Sequence, residues 1–278
     1  MIDTAVIPVA GSGTRLLPFT KEQPKEMLPL FVKGGIKPTV QIIFEELYSA
    51  GIRKFIFIVG RGKRVIEDHF IPNYLLTDSL KGNGKTPYAE DLLSFYNKIE
   101  ESSIVWINQS RPKGFGHAVS LARPYVLSNQ FFVHAGDTVI ANEAQYSIIK
   151  QMIESVSNDE KLSMLCIRQI KDKSLLRQYG VANLDGNRVI HVEEKPQFPT
   201  SEFALMPLYV FTRQIFEMLV EIKPGLGNEY QLTDAIELLI KSRAMVSGRL
   251  LGEDAFRMDV GTPETYYEAL NNSYKVLR

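Results

Sequence analysis

Apolar and polar positions alternate along the chain in blocks rather than residue by residue. Residues 4–10, Thr4-Ala5-Val6-Ile7-Pro8-Val9-Ala10, make a short apolar run without alternation. Such a run reads as a strand buried on both faces. Lys54–Val59, Ser103–Asn108 and Phe131–Thr138 repeat the pattern. Between these runs apolar residues recur at helical spacing. Val40, Ile43, Phe44 and Leu47 share one face of a helix over Thr39–Ala50, with Gly51 just past its end. Further helices are expected over residues 64–70, 89–99, 118–127 and 143–156. Lys33–Pro38 reads as a loop, and Pro72–Pro87, polar and rich in glycine, as a mobile excursion. Strand–helix alternation of this kind predicts parallel strands with right-handed crossovers.

The pattern changes after residue 160. Lys161–Ile170 is a strand, and Tyr179–Leu184 and Arg188–Val192 flank Asp185-Gly186-Asn187 as the arms of a hairpin. Phe203–Thr212 is another strand, a helix runs from about Gly227 to Ser242, and Arg249–Leu251 starts a strand-like approach to Phe256–Pro263. Thr262-Pro263 starts a last helix that reaches Leu277. The whole is an α/β chain with antiparallel strands added in its second half.

Composition narrows the partners. The 278 residues carry 32 Lys+Arg against 32 Asp+Glu, so the formal net charge is zero. A general nucleic-acid or anionic-membrane surface needs a basic excess, and neither partner is expected. The single cysteine, Cys166, sits inside an apolar run and reads as a buried core thiol. No apolar run approaches the roughly 18 residues that span a bilayer, and Met1-Ile2-Asp3-Thr4 shows no basic leader before the first strand. A cytoplasmic protein is the expectation.

Chemistry is densest directly after the first strand. Gly11-Ser12-Gly13-Thr14-Arg15 lets the backbone turn tightly and turn its N–H groups toward an anion. Arg15 and Lys25 bring fixed positive charge to the same mouth, which together reads as a device for a polyphosphate. A dinucleotide fingerprint would need glycine at position 16, where Leu16 stands. Gly84-Lys85-Thr86 resembles the tail of a phosphate-binding P-loop, but Ser79 occupies the place of its first glycine and no strand precedes it. An ordinary strand-to-helix turn is the remaining alternative. Ligands of open α/β sheets bind beyond the carboxyl ends of strands. Gln109, Gly114 and Asp137 follow strand ends and fall on that same rim. A glutamine can both donate to and accept from the edge of a base. An aspartate past a strand end suits a hard cation. Asp259, before Gly261, supplies a second such carboxylate. His117 has the place of a residue that caps or orients its loop.

The long stretch Gly11–Lys21, followed by Pro24-Lys25-Glu26-Met27-Leu28-Pro29, resembles the signature of the sugar-1-phosphate nucleotidyltransferases. Its Pro-Lys-Glu-Met-Leu-Pro wording is most similar to the uridylyltransferases of that family that act on UTP and glucose 1-phosphate. Tyr179-Gly180-Val181, Glu194-Lys195-Pro196, Gly227–Asp234 and Asp259-Val260-Gly261 resemble further family motifs in family order. The resemblance implies a Rossmann-like, mostly parallel mixed sheet with helices on both faces and a small antiparallel sugar-binding addition. It implies one domain over 1–278, with a nucleotide-binding half of about 1–140 and a sugar-binding half of about 141–278. No hexapeptide repeat follows, so the β-helix domain of some relatives is not expected.

The resemblance also implies roles. Ala10, Gln109 and Gly114 would hold uracil, with Glu26 as a support for base or ribose. Gly11, Gly13 and Thr14 would cradle phosphates, and Arg15 and Lys25 would neutralise the triphosphate. Asp137 and Asp259 would hold Mg²⁺. Gly180 and Glu194 would face the hexose, and Lys195 would hold its phosphate. Gly227–Asp234 could cap the sugar pocket or order the fold, and a mainly structural role is favoured. The expected reaction is in-line attack of the sugar phosphate on the α-phosphorus of UTP, giving UDP-glucose and pyrophosphate. A homo-oligomer, dimer or tetramer, is also implied, with the last helix and residues 71–88 as contacts. Val260 stands where many uridylyltransferases have cysteine, which keeps a glucose-1-phosphate thymidylyltransferase using dTTP open. A non-catalytic nucleotide-sugar sensor is the remaining alternative.

Overall fold

The computed structural model describes residues 2–142 and 147–277. Its first half holds β1 (Thr4–Val9), the ribbon β2 (Pro29–Val32) and β3 (Gly35–Pro38), α1 (Thr39–Ser49), β4 (Lys54–Val59), α2 (Arg64–His69), α3 (Tyr74–Gly82), α4 (Thr86–Glu100), β5 (Ser103–Asn108), α5 (Phe115–Ser120), β6 (Gln130–His134) and β7 (Thr138–Asn142). Its second half holds α6 (Ile148–Val156), β8 (Leu162–Gln169), α7 (Lys173–Leu176), β9 (Gly180–Asp185), β10 (Arg188–Glu194), β11 (Phe203–Thr212), α8 (Ile215–Glu221), α9 (Leu232–Lys241), β12 (Met245–Leu250), β13 (Ala255–Asp259) and α10 (Pro263–Val276).

Nine strands form one sheet in the order β5-β4-β1-β6-β11-β8-β12-β10-β9. β5, β4, β1 and β6 are mutually parallel, as their uninterrupted apolar runs require. β11 then runs antiparallel to both β6 and β8, and β9–β10 is an antiparallel hairpin. The antiparallel strands therefore extend the main sheet. A separate ribbon pairs β7 with β13, placing Asp259 opposite Thr138. The core lies on both faces of the sheet. One side is built around Phe44, whose ring packs against Phe55, Phe70 and Phe95. The other is built around Phe131 and Phe216, which stack at 4.9 Å. Among the described residues no helix is long and apolar enough to cross a membrane.

Several expectations need correction. Lys33–Pro38 is not simply a loop, because Gly35–Pro38 pairs with Pro29–Val32 as a ribbon. Residues 72–87 are not an irregular excursion. Asn73 caps α3 through its side-chain oxygen, which accepts from the Leu76 amide at 3.1 Å, and Thr77 is buried. Gly84, at φ +72°, ends that helix, and Pro87 occupies the first turn of α4, where its missing N–H is harmless. The short helix expected at 118–127 is instead Phe115–Ser120. The one expected from 143 begins, among the described residues, at Ile148, with Ser147 as its cap; residues 143–146 lie outside the described residues. The helix expected from Gly227 starts at Leu232, preceded by a single tight turn at Leu226–Asn228.

Candidate active site

Four parallel strands deliver the site. Ala10 and Gly11 leave β1, Gly60 leaves β4, Gln109 leaves β5, and Asp137 follows β6. The exits of β1 and β4 touch: a Cβ on Gly60 would lie 2.8 Å from the Ala10 carbonyl oxygen, so glycine is needed there. Ala10, Gly11, Gly13, Thr14, Arg15, Lys25, Glu26, Gln109, Gly114 and Asp137 line a single cleft at this rim. Gly13 sits at φ +64°, a left-handed conformation that suits glycine, and its carbonyl accepts the Thr20 hydroxyl at 2.8 Å. The Lys25 ammonium lies directly over Gly11, 3.9 Å from where a Cβ would be.

Lys25 Nζ donates to Asp137 Oδ2 in a short ion pair. Burial alone would lower the Lys25 pKa, but Asp137 and Glu26 beside it hold it above its ordinary value. Burial works against the Asp137 carboxylate too, and Lys25 and Arg257 outweigh it, drawing its pKa down to about 2. Both members of the pair are thus held charged. The β7–β13 register brings the second carboxylate in. Thr138 Oγ1 lies 3.3 Å from Asp137 Oδ1 and 3.1 Å from Asp259 Oδ2, within hydrogen-bonding reach of both. Asp259 also accepts from the Gly261 amide at 3.0 Å, Thr265 Oγ1 at 3.1 Å and Arg257 Nη2 at 2.8 Å. Two carboxylates around one hydroxyl offer hard oxygen donors suited to Mg²⁺, which commonly takes one or two carboxylates and completes its shell with water and substrate phosphates. Among the described residues no group of three or more His, Cys, Asp and Glu gathers as an all-protein cage.

At the opposite end of the cleft, Gln109 is 5% exposed. Its Nε2 donates to His117 Nδ1 at 2.8 Å and approaches the Gly114 carbonyl at 3.4 Å. His117 therefore orients Gln109. Gly114 has φ +104°, and a Cβ there would lie 2.8 Å from both Glu229 Cβ and the Tyr230 carbonyl oxygen. The loop is clamped on that side by Tyr230, whose amide donates to Lys113 O at 2.8 Å and whose carbonyl accepts from Gly116 N at 2.9 Å. Glu26 lines the cleft, yet it is 1% exposed and its Oε2 holds Lys63 Nζ at 2.6 Å. Burial raises its pKa, and Lys63 and Lys25 pull in the opposite direction.

Burial and nearby Lys113 hold His117 below the ordinary imidazole pKa of 6.5. The neutral ring accepts from Gln109, whereas the protonated ring is a donor and cannot. Protonation therefore releases Gln109, and the lowered pKa confines that loss to acid. For the nucleotide that the family resemblance implies at this cleft, KM is expected to be flat from pH 8 to about 6.5 and to rise several-fold below it. In His117→Gln that acid limb should be absent, as steady-state kinetics across pH would show.

Gly180, Glu194 and Lys195 gather with one another but do not line this first cleft. Glu194 Oε1 meets Lys195 Nζ at 3.0 Å, while Oε2 accepts the Thr233 hydroxyl at 2.6 Å. Lys195 has φ +44°, an uncommon conformation for a residue with a Cβ, and its amide donates to Tyr179 O at 3.0 Å. A Cβ on Gly180 would approach Thr233 Oγ1 to 3.2 Å and Glu194 Oε2 to 3.3 Å. The trio is tied to the cleft through Arg257, which bonds Asp259 on one side and lies over the Tyr179 ring at 5.3 Å on the other.

Four contributors escaped the sequence reading: Lys63, Thr138, Arg257 and Thr233. Arg257 and Asp259 are two apart on one strand and share a face, and Lys63 follows a strand end on the binding rim, so faint signals existed. Thr138 carries none without the pairing of β7 with β13, and Thr233 stood only as one residue of the motif-like stretch Gly227–Asp234 until the placing of α9 beside β10.

The model of the nucleotidyl transferase family matches residues 4–275. A protein of Pseudomonas aeruginosa named UTP–glucose-1-phosphate uridylyltransferase is 32% identical over 282 residues, covering 99% of this chain and 97% of that one. One of the same name from Streptococcus pneumoniae serotype 4 is 37% identical over 267 residues, covering 92% of this chain and 85% of the other. Among solved structures, a UDP-glucose pyrophosphorylase complexed with UDP-glucose superposes with a TM-score of 0.83 at 32% identity, over 99% of both chains.

Proposed function

The chain belongs to the nucleotidyl transferase family, and we propose that it transfers the uridylyl group of UTP to glucose 1-phosphate, giving UDP-glucose and pyrophosphate. The observation that carries this reading is the convergence of a glycine-cradled anion site, two basic side chains and two carboxylates in and beside one cleft. The names of the full-length relatives supply the base and the sugar.

The difficulty of the reaction is the approach of two anions. A pair of like unit charges 4 Å apart costs about 4 kcal/mol at an effective dielectric of 20. In the proposed arrangement the backbone N–H groups of Gly11, Gly13 and Thr14 hold the phosphate chain, and Arg15 and Lys25 neutralise it. Lys195 leaves Glu194 for the sugar phosphate, and the carboxylate it leaves behind, with Gly180 as a flat wall, accepts from hexose hydroxyls. Ala10, Gln109 and Gly114 hold the uracil edge. Glu26, fixed by Lys63, supports the nucleoside from beneath. Mg²⁺ held by Asp137 and Asp259 would supply Lewis-acid neutralisation of the phosphate oxygens. No protein nucleophile is required: the catalysis is positioning and electrostatic stabilisation. A homo-oligomer in the cytoplasm belongs to the same proposal and rests on the family resemblance.

The test is pyrophosphate release with UTP, dTTP, ATP, GTP and CTP against glucose, galactose, mannose and N-acetylglucosamine 1-phosphates, with and without Mg²⁺. A maximum with UTP and glucose 1-phosphate, abolished by chelator, is the expected outcome. A dTTP maximum would overturn the choice of base, and no release with tight UDP-glucose binding would overturn the enzymatic reading.

A further inference from the structure

We propose that Thr233 is the positioning residue through which the sugar carboxylate Glu194 is oriented, and that it selects the hexose; this rests on the uridylyltransferase reading above. Glu194 has two oxygens with different partners. Oε1 meets Lys195 Nζ at 3.0 Å, and that lysine is mobile by chemistry, since its ammonium has a sugar phosphate to go to. Oε2 accepts from Thr233 Oγ1 at 2.6 Å, a charge-assisted bond to a neutral hydroxyl that has no competing destination. When Lys195 leaves, Thr233 is what still fixes the plane of the carboxylate. The remaining lone pairs of Glu194 then point in set directions, and an epimer with one hydroxyl displaced meets them badly.

Thr233 is itself held firmly. It is 6% exposed and is the second residue of α9. That helix is secured to β10 by Glu237, whose Oε2 accepts from the Val192 amide at 2.9 Å. Gly180 closes the other side: a Cβ there would press on both Thr233 Oγ1 and Glu194 Oε2. The stretch just before α9 performs a second task. Tyr230 exchanges backbone bonds with Lys113 and Gly116, and thereby braces the loop carrying Gln109 and Gly114. Four residues, Tyr230 to Thr233, thus run from the base-reading loop to the sugar carboxylate. The segment assigned a mainly structural role on sequence grounds is the rigid spacer that sets the distance between base and hexose recognition.

Thr233→Val keeps the branched shape and removes the hydroxyl, and Thr233→Ser keeps the hydroxyl and removes the methyl. In steady-state kinetics with UTP, Thr233→Val is expected to raise KM for glucose 1-phosphate about tenfold and to lower the preference for glucose over galactose 1-phosphate by a similar factor. KM for UTP should stay within about twofold. Thr233→Ser should restore both sugar parameters to near the unsubstituted values. Unchanged sugar KM and epimer preference in Thr233→Val overturn the inference. So do equal changes in both KM values, or failure of Thr233→Ser to rescue, because those mark a merely structural role. Should Thr233→Val not fold, Thr233→Ser and Thr233→Ala are measured by the same two parameters, and a wild-type epimer preference in Thr233→Ala overturns the inference. The unsubstituted enzyme separates the two levels of the argument: product from it with an indifferent Thr233 removes this inference alone, and no product from it removes the parent reading as well.

Discussion

Asp137→Asn is expected to lower the rate of pyrophosphate release by about 10³-fold, close to 4 kcal/mol in the activation barrier, while the chain stays folded. The substitution keeps the shape of the side chain and an oxygen toward Lys25, removes the charge, and turns the oxygen that accepts from Thr138 into an amide donor. In the proposed reaction that charge anchors the divalent cation, so the loss falls on the transition state. The cost to stability is smaller and its sign follows from the direction of the shift. Lys25 and Arg257 hold Asp137 below its ordinary pKa, at about 2. Its contribution to stability is therefore complete above pH 3.8 and fades as pH falls toward 2. At neutral pH the variant forgoes all of it, about 2 kcal/mol, a decrease of a few degrees in Tm for a chain of this length. Thermal melts and pyrophosphate release measured on the same preparation check both parts. Near-normal turnover would remove Asp137 from the cation site.

The second large effect has two opposite signs. Lys25→Met is expected to reduce turnover by two to three orders of magnitude, the size typical of removing one electrostatic stabiliser. It is also expected to tighten Mn²⁺ binding to the nucleotide-free protein, by about tenfold. The reason is the ion pair between Lys25 and Asp137 Oδ2. In the free protein the ammonium neutralises the carboxylate that a divalent cation would need, so the two cations compete. Bound triphosphate offers Lys25 another anion and frees Asp137. Cation and nucleotide then bind with positive coupling, and each tightens the other by the same factor. Calorimetric titration of Mn²⁺ into both proteins, with and without a UTP analogue whose α,β bridge is a methylene or imido group and cannot be cleaved, reads this directly. Weaker Mn²⁺ binding by Lys25→Met in the nucleotide-free protein would show that the lysine does not compete for Asp137.

The glycine-rich loop, the rim residues Gln109 and Gly114, and Asp137 could be placed together from the sequence because each follows a strand whose apolar run is unmistakable, whereas Asp259 rested on the family resemblance. Once the strands are parallel, their carboxyl ends share an edge, and residues scattered from Gly11 to Asp137 become neighbours. What could not be found depends on pairing across the chain. Lys63 is one of three basic residues in Arg61-Gly62-Lys63-Arg64, and it alone turns inward to Glu26, where it is 6% exposed. Nothing singled out Arg257 before the β7–β13 register set it between Asp259 and Tyr179. The helix at Tyr74–Gly82 and the first turn of the one at Thr86–Glu100, expected only over 89–99, were hidden by local chemistry. Their glycines and proline occupy helix ends, where such residues are favourable, and a polar exposed face suppressed the hydrophobic signal. Tertiary support decided the matter: Tyr74 packs edge-on against Tyr96 at 5.7 Å.

The β7–β13 ribbon gives the site a chronology. All four parallel strands that carry the nucleotide residues are complete by His134, so that half of the sheet can collapse while the rest of the chain is still emerging from the ribosome. Thr138 and Asp259, in contrast, are 121 residues apart and meet only when the last strand of the sequence, β13, has been wound back onto β7. Closing so long a loop is slow compared with local structure. A refolding chain should therefore regain its β-sheet signal first, its affinity for nucleotide next, and a complete pair of carboxylates last. In the proposed reaction, both carboxylates are in place only once this last long-range pairing has formed.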